Sequence, residues 1–244
     1  MPVHPLRLSL VVLLLLLAAG ALPFGLFRGQ IGQDSRTSSL LATPIAAPLR
    51  PVKTSRFAEA WRAPLDAPLA GALLGSSQQI VATLDNGTIL SLSPQDGSVL
   101  WKHELGSQPA GGPVFLGPAI AQAAGDGRVA SWSLTGEPMW TADLKEPISR
   151  PPTGSLEEMY VPLTSSKLVS LGTDGKERWR AELQGVPSTP PAACRGFVAL
   201  GTAGGTVEAF ARGTGKALWV AKTGSEVVSP LLCYRGAIYF GTAD

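Results

Sequence analysis

Hydrophobic and polar residues alternate, or group into apolar runs of about four to seven residues, along most of the chain from residue 69 onward. Val, Ile, Phe, Thr and Trp are frequent in these segments, as is typical of β-strands. Clear examples are 79–84, 88–93, 99–104, 197–201, 206–211 and 217–222. The turns Asp85-Asn86-Gly87 and Gly125-Asp126-Gly127 suit hairpins that need a positive φ. No apolar helical stripe free of Gly and Pro occurs in this region, so the pattern predicts antiparallel strands.

The tryptophans reveal a repeat of about 40 residues. Five of the six recur at intervals of 40, 39, 39 and 40 residues, namely Trp61, Trp101, Trp140, Trp179 and Trp219. Only Trp132 falls outside the series. A glycine preceded by Asp or Thr stands four residues before each of the last four: Gly97, Gly136, Gly175 and Gly215. Because each series tryptophan falls in the last predicted strand of its unit, we expect it to pack against the neighbouring unit rather than to stack on a ligand.

Each unit holds three or four antiparallel strands, which cannot bury both faces of their sheet alone. Radial stacking of such sheets does bury them, so the sequence predicts an all-β β-propeller with four-stranded blades. Complete units are predicted at about 69–105, 110–144, 149–183 and 188–223, and a fifth begins at Glu226. Residues 240–244 match 200–204 and stop before the next expected turn glycine. We therefore expect a propeller truncated at its C-terminus, with about four and a half blades present.

Over roughly residues 58–244 the repeat resembles that of the quinoprotein-type (PQQ-like) propeller family. The shared pattern is an apolar residue, three variable residues, Asp or Thr, Gly, three variable residues and Trp. It reads LSPQDGSVLW at 92–101, WSLTGEPMW at 132–140, SLGTDGKERW at 170–179 and FARGTGKALW at 210–219. The resemblance implies one of two kinds of function. One is quinone-dependent dehydrogenation, and the other is the non-catalytic BamB type, which scaffolds outer-membrane protein assembly.

The dehydrogenases of this family resemble one another in having adjacent cysteines near the cofactor, a calcium site and an Asp base. Here the two cysteines are 39 residues apart, and the only histidines are His4 and His103, so a His-based metal site is not expected. The aspartates Asp66, Asp85, Asp126 and Asp174 each neighbour a turn and are interpreted as turn formers. We expect no catalytic residue, no metal site and no cofactor, and we favour the BamB-like branch.

Cys194 and Cys233 occupy near-equivalent places in adjacent units, AACRGFVALGT and LLCYRGAIYFGT. Equivalent points on neighbouring blades are normally farther apart than the ~4.4–6.8 Å between Cα atoms that a disulfide requires. The spacing therefore predicts two buried free thiols with a role in the core.

Residues 1–27 have the features of a signal peptide or membrane anchor. Residues 8–27 carry no charge, Arg7 precedes them, and Ala19-Gly20-Ala21 offers the small residues that signal peptidases accept. Cleavage after Ala21 would remove the segment, whereas a run of this length could also span a ~30 Å hydrocarbon core uncleaved. Either outcome predicts export to the periplasm or envelope. Lipid attachment is not expected, because no cysteine precedes Cys194.

Composition and charge limit the partners that the chain is expected to bind. Residues 28–57 lack a sustained period and are rich in Ser, Thr, Pro and basic residues, which predicts a flexible linker. Residues 1–62 hold seven basic and two acidic residues, whereas 63–244 hold 13 basic and 16 acidic ones. The repeat region, 58–244, is therefore mildly acidic, and no nucleic-acid partner is expected. Membrane contact is expected only through the N-terminal segment.

Together these patterns predict an exported, non-enzymatic propeller that binds a protein partner in the cell envelope, through its loops, an edge strand or the central funnel. Two alternatives stay open. The chain could be a fragment of a PQQ-dependent dehydrogenase whose catalytic part lies elsewhere, or a sensor propeller held by an uncleaved anchor.

Overall fold

The computed structural model describes residues 10–13 and 59–244. Residues 10–13 form a short strand, β1 (Leu10–Leu13), which pairs antiparallel with the last blade, Leu10 opposite Gly241. The rest of the predicted targeting segment 1–27 and the predicted linker 28–57 lie outside the described residues. Within 10–13 and 59–244, no helix is long and apolar enough to cross a bilayer.

Every regular element in the described residues is a β-strand, and the strands form five antiparallel sheets, called blades 1–5 in chain order. Blade 1 contains β2 (Leu74–Gly75), β3 (Ile80–Thr83), β4 (Thr88–Leu92) and β5 (Val99–Glu104). Blade 2 contains β6 (Val114–Leu116), β7 (Ala119–Ala123), β8 (Arg128–Ser133) and β9 (Pro138–Asp143). Blade 3 contains β10 (Thr153–Gly154), β11 (Glu158–Leu163), β12 (Lys167–Gly172) and β13 (Glu177–Glu182). Blade 4 contains β14 (Ala192–Ala193), β15 (Phe197–Gly201), β16 (Thr206–Ala211) and β17 (Ala217–Lys222). Blade 5 contains β18 (Leu232–Tyr234) and β19 (Ala237–Gly241), with β1 beside β19.

Strands within a blade pair with their neighbours in sequence, so the first strand lies at one edge and the fourth at the other. The first strands are short, and those of blades 2 to 5 lie against one another. We call the first strands (β2, β6, β10, β14, β18) the inner wall and the fourth strands (β5, β9, β13, β17) the outer rim. The predicted all-β architecture is confirmed: four four-stranded blades are followed by a fifth, partial one.

The apolar core is divided among the gaps between successive blades. Val81 of blade 1 packs with Ile120 of blade 2, and Met159 of blade 3 packs with Val129 of blade 2. The middle strands are mostly buried, whereas the outer-rim strands alternate between exposed residues and buried or partly buried ones. Each blade therefore depends on its neighbours for burial, as expected for a repeat protein.

The series tryptophans join each blade to the one before it. In the first four of the five, the indole N–H donates to the backbone carbonyl of the residue 33 positions later, in the next blade. These pairs are Trp61–Pro94 (2.8 Å), Trp101–Leu134 (3.1 Å), Trp140–Thr173 (2.8 Å) and Trp179–Arg212. Each ring also covers a repeat glycine, and a β-carbon on that glycine would lie only 2.5–2.6 Å from the ring. The glycines that these rings cover are Gly97, Gly136, Gly175 and Gly215. A glycine is required at each position, because the φ angle there is also positive.

The expectation that every series tryptophan lies in a last strand is wrong for Trp61. This residue lies in an irregular segment that precedes blade 1. It nevertheless makes the same contact with Gly97 and Pro94 as the other tryptophans make one blade later. The segment around Trp61 therefore occupies the place of a preceding outer-rim strand.

A β-bulge beside Trp101, Trp140, Trp179 and Trp219 exposes one residue of each outer-rim strand. Trp101 lies opposite Ser91 and Val99 lies opposite Leu92, which leaves Leu100 as the extra residue. The same register shift occurs in blades 2, 3 and 4. The extra residue leaves the regular alternation of the strand, and Leu100 is 52% exposed.

We expect Gly175→Ala to destabilise the protein by about 2–4 kcal/mol, because a β-carbon would meet the Trp140 ring on a backbone with positive φ. Gly213→Ala is the matched control, since a β-carbon there has no atom within 4 Å. The control should change the free energy of unfolding by less than about 0.5 kcal/mol. Urea unfolding followed by tryptophan fluorescence measures both variants, and equal losses would contradict the assigned role of the contact.

We expect Ser166→Gly to stabilise the protein by about 0.5–1 kcal/mol. Ser166 has a φ of 57° at the turn where the other complete blades have Gly87, Gly127 and Gly205, so glycine relieves strain there. The reverse change, Gly205→Ser, should destabilise by about 1 kcal/mol or more, because its β-carbon would lie 2.9 Å from the Ser225 carbonyl oxygen. Thermal unfolding of both variants tests the assignment, which fails if both move the free energy of unfolding in the same direction.

Candidate binding surface on the inner wall

The inner wall is concave and apolar where blades 1, 2 and 3 meet. A cavity of about 450 Å³ lies here, formed by the strands β2, β6 and β10 and the residues beside them. It is lined by Leu74, Pro113, Val114, Phe115, Pro152, Thr153, Gly154, Ser155 and Leu156. None of these side chains is charged, so the cavity favours an apolar group over a charged one.

Large apolar residues are exposed along this wall. Leu156, in the turn between β10 and β11, is 82% exposed, and Leu232 in β18 is 62% exposed. Leu73, directly before β2, and Tyr234, at the end of β18, are each more than half exposed. We call Leu73, Leu156, Leu232 and Tyr234 the inner-wall residues. Single exposed apolar residues are ordinary, but several along one wall are typical of a binding surface.

A partly buried polar network supports the turn that carries Leu156. Arg212, in the turn between β16 and β17, donates from Nε to the Tyr160 hydroxyl at 2.7 Å and from Nη2 to Ser155 Oγ at 3.1 Å. The Tyr160 hydroxyl in turn donates to Glu158 Oε2 at 2.5 Å. The network therefore connects a turn of blade 4 to the β10–β11 turn of blade 3.

Two groups of the network, the Tyr160 phenol and the Arg212 guanidinium, have raised pKa values. Burial raises the pKa of the Tyr160 phenol well above its usual range, and the hydrogen bond to Glu158 raises it further, against the opposing effect of Arg212. Burial by itself lowers the pKa of Arg212, but Tyr160 and the carboxylates of Glu158 and Glu157 outweigh it, so the pKa is raised. Tyr160 therefore stays neutral and Arg212 stays charged near neutral pH. Such groups suit positioning better than proton transfer.

The sequence-predicted repeat positions lie elsewhere, at the contacts between blades, and none of them lines the cavity. The four aspartates interpreted as turn formers lie at separate turns or bends. Asp126 and Asp174 accept backbone hydrogen bonds from the residues two positions later, at 3.1 and 3.2 Å. Within residues 10–13 and 59–244, no group of three or more His, Cys, Asp or Glu side chains is placed to hold a metal.

His103 and Trp132, the tryptophan outside the series, form an aromatic contact between blades 1 and 2. Their rings stack with centroids 5.3 Å apart, and His103 Nε2 lies 2.7 Å from the Gly136 carbonyl oxygen. Trp132 is buried. These contacts place both residues in the packing between blades.

The prediction of two free thiols is wrong. Cys194 and Cys233 form a disulfide, with their Cα atoms 5.7 Å apart. Cys194 directly follows β14 and Cys233 lies in β18, so both belong to the inner wall, where neighbouring blades lie against one another. The separation of equivalent points on adjacent blades shrinks toward this wall. Spacing along the sequence does not contain that information, which is why the prediction failed.

The sequence analysis did not identify Tyr160, Glu158 and Arg212 as a group. A comparison of equivalent positions in the repeat units could have singled out two of them. The equivalent positions can be aligned through the isolated bridges and the tryptophan hydrogen bonds that recur in each blade. At the position of Tyr160, the other complete blades have Val81, Ala121 and Ala199; at that of Arg212, they have Pro94, Leu134 and Thr173. A large polar group where other repeats have small or apolar residues is the feature that could have identified this network.

We expect Arg212→Met to destabilise the protein by about 2–3 kcal/mol, because it leaves the buried Tyr160 hydroxyl and Glu158 carboxylate without their cation. Arg195→Met is the matched control, since Arg195 is an exposed arginine in another turn of the same blade. The control should change the free energy of unfolding by less than about 0.5 kcal/mol. Urea unfolding distinguishes the two, and equal effects would show that the network adds nothing beyond surface charge.

Two known proteins are similar in sequence to about half of this chain. The outer membrane protein assembly factor BamB of Burkholderia pseudomallei (strain K96243) is 32% identical over 108 residues, 44% of this chain and 28% of that protein. The BamB of Nitrosomonas eutropha (strain DSM 101675 / C91 / Nm57) is 31% identical over 124 residues, 50% of this chain and 29% of that protein. The matched stretch is therefore less than a third of the length of either relative.

A solved structure shares the fold. The crystal structure of BamB from Moraxella catarrhalis matches with a TM-score of 0.63 and 18% identity, over 73% of this chain and 56% of that one. The family model described as outer membrane protein assembly factor BamB matches residues 52–130, 85–171 and 125–244. Because these matches together cover residues 52–244, the chain belongs to the BamB family of PQQ-like repeat propellers.

Proposed function

We propose that this chain is an exported, non-enzymatic β-propeller that binds a protein partner in the cell envelope during outer-membrane protein assembly. The observation that carries the proposal is the family match over residues 52–244. The relatives at 31–32% identity are named as assembly factors, which supports the same role. Export, with or without cleavage after Ala21, and a protein partner are parts of this proposal.

The inner wall is the surface proposed to bind the partner. Its cavity is lined by uncharged residues, among them Leu156, which is 82% exposed. The Arg212 network supports the turn that carries Leu156, so the apolar group is presented in a fixed position. A preorganised apolar anchor beside a shallow pocket is typical of the centre of a protein interface.

The proposal includes no cofactor. Tyr160 and Arg212 both have raised pKa values and keep their protons near neutral pH. We therefore assign them the role of holding the β10–β11 turn in place, not of transferring protons. Titration with PQQ and calcium, followed by quenching of tryptophan fluorescence, checks this part. We expect no saturable quenching. Saturable binding that depends on calcium would instead favour the dehydrogenase alternative.

We expect loss of the gene to lower the amount of folded outer-membrane protein in the native host, and the wild-type gene to restore it. Leu156→Asp should restore assembly poorly, because it places a charge on the apolar surface that the partner would cover. Leu218→Asp is the matched control, since Leu218 is a 50% exposed leucine on the outer rim. Heat-modifiability of outer-membrane proteins on gels measures the outcome.

Site-specific photocrosslinking at Leu156 and Leu218 supplies the second measurement. A crosslink to a component of the outer-membrane assembly machinery from Leu156 alone is the expected result. Equal crosslinking from both positions, or full restoration by Leu156→Asp, would rule out the inner wall as the binding surface. Normal outer-membrane assembly without the gene would overturn the proposed function itself.

A further inference from the structure

The disulfide between Cys194 and Cys233 joins blade 4 to blade 5 at the inner wall. The two residues are 39 positions apart in sequence, yet their Cα atoms are 5.7 Å apart. This separation falls within the range of about 4.4–6.8 Å that disulfides require. Both cysteines of the 244-residue sequence form this bond.

The bond joins two short strands that have few backbone hydrogen bonds. β14 is only two residues long and pairs with β15 at Ala192 and Ala193. β18 is three residues long and pairs with β19 alone. Hydrogen bonds of so few residues hold a strand loosely, and a covalent bond between the two strands compensates for that.

The bond also continues a series of links between consecutive blades. Trp101, Trp140 and Trp179 join blades 1 to 2, 2 to 3 and 3 to 4 through their glycine contacts at the outer rim. Cys194 and Cys233 join blade 4 to blade 5 at the opposite edge of the sheets. The disulfide is thus a covalent link between consecutive blades, at the opposite edge from the tryptophan contacts.

The two cysteines differ in their exposure to solvent. Cys194 is 5% exposed, whereas Cys233 is partly exposed between the exposed residues Leu232 and Tyr234. A reagent or an enzyme can therefore reach the pair from the Cys233 side of the inner wall.

We propose that Cys194 and Cys233 are a modification site: an envelope dithiol oxidase joins them, and the bond fixes blade 5 against blade 4. In this step the two thiols lose two protons and two electrons, an S–S bond forms between them, and the disulfide of the oxidase is reduced to a dithiol. Stable disulfides of this kind form in oxidising compartments such as the periplasm. The inference rests on the export that is part of the proposed function, but not on the protein-binding role, and it is tested separately from that role.

The bond is tested on the full chain recovered from the envelope of its native host. The protein is denatured in the presence of a maleimide–polyethylene glycol tag, with or without prior reduction, and the tags are counted on a gel. No tags without reduction and two tags after reduction are expected. Two tags without reduction would show two free thiols and overturn the proposal.

The oxidase is tested by repeating the count in a host that lacks its envelope dithiol oxidase. Two tags without reduction are expected from that host, and the same result as in the parent host would overturn the enzyme's part in the proposal. Neither count depends on whether Leu156 binds a partner. Failure of the protein-binding proposal therefore leaves this measurement unchanged.

The structural effect is tested with Cys194→Ala/Cys233→Ala and with reduced wild-type protein. Reduction should lower the melting temperature of the wild type by about 5–10 °C, because a loop of this length is released in the unfolded chain. The double variant should melt at the lower temperature with or without reductant. It serves as the control for any unspecific effect of the reductant.

Limited proteolysis locates the effect and keeps the test valid if the double variant does not fold. Reduction of the wild type should increase cleavage in residues 223–231, the connection between blades 4 and 5. The connection between blades 2 and 3, residues 144–152, should be cleaved at an unchanged rate. Unchanged melting and unchanged cleavage after verified reduction would overturn the proposed role of the bond.

Discussion

The contact between a tryptophan and a glycine of the next blade is the constraint on which the rest of the structure depends. At Gly175, a β-carbon would lie 2.5 Å from the Trp140 ring, and the indole of that tryptophan donates to the Thr173 carbonyl oxygen at 2.8 Å. One contact thus determines the conformation of a turn, the position of an outer-rim strand and the distance between two blades. Because the partners lie in different units, neither can shift without the other, which explains why the period stays at 39 or 40 residues.

This contact fixes the spacing of the blades at the outer rim and does not involve the residues of the inner wall. The gaps between blades are filled by their own apolar clusters, so each interface is complete without a common centre. The first strands are only two or three residues long and add few hydrogen bonds. Interactions that occur between only one pair of blades therefore determine the shape of the wall. They are the Arg212 network between blades 3 and 4 and the disulfide between blades 4 and 5.

The same division explains what could be predicted from the sequence. The tryptophan and glycine spacings predicted the blades, their number and the family, because these residues recur once per blade and form the contacts between blades. The contacts at the inner wall do not recur from blade to blade. Arg212 contacts Tyr160 across 52 residues only once, so no period reveals the pair. The cysteine prediction assumed one typical distance between equivalent points of neighbouring blades, whereas that distance depends on how near the points lie to the inner wall.

The energetics of the Arg212 network favour the binding role proposed for the wall. Burying a guanidinium beside carboxylates stabilises a fold little compared with apolar packing, because desolvation offsets most of the attraction between the charges. The other complete blades have residues such as Leu134 or Thr173 at that position and still stack normally. Stacking alone therefore does not account for the network, but a need to fix the β10–β11 turn does. That turn presents Leu156 at 82% exposure, where a polar residue would suit water better, and a partner that covers the leucine accounts for both features.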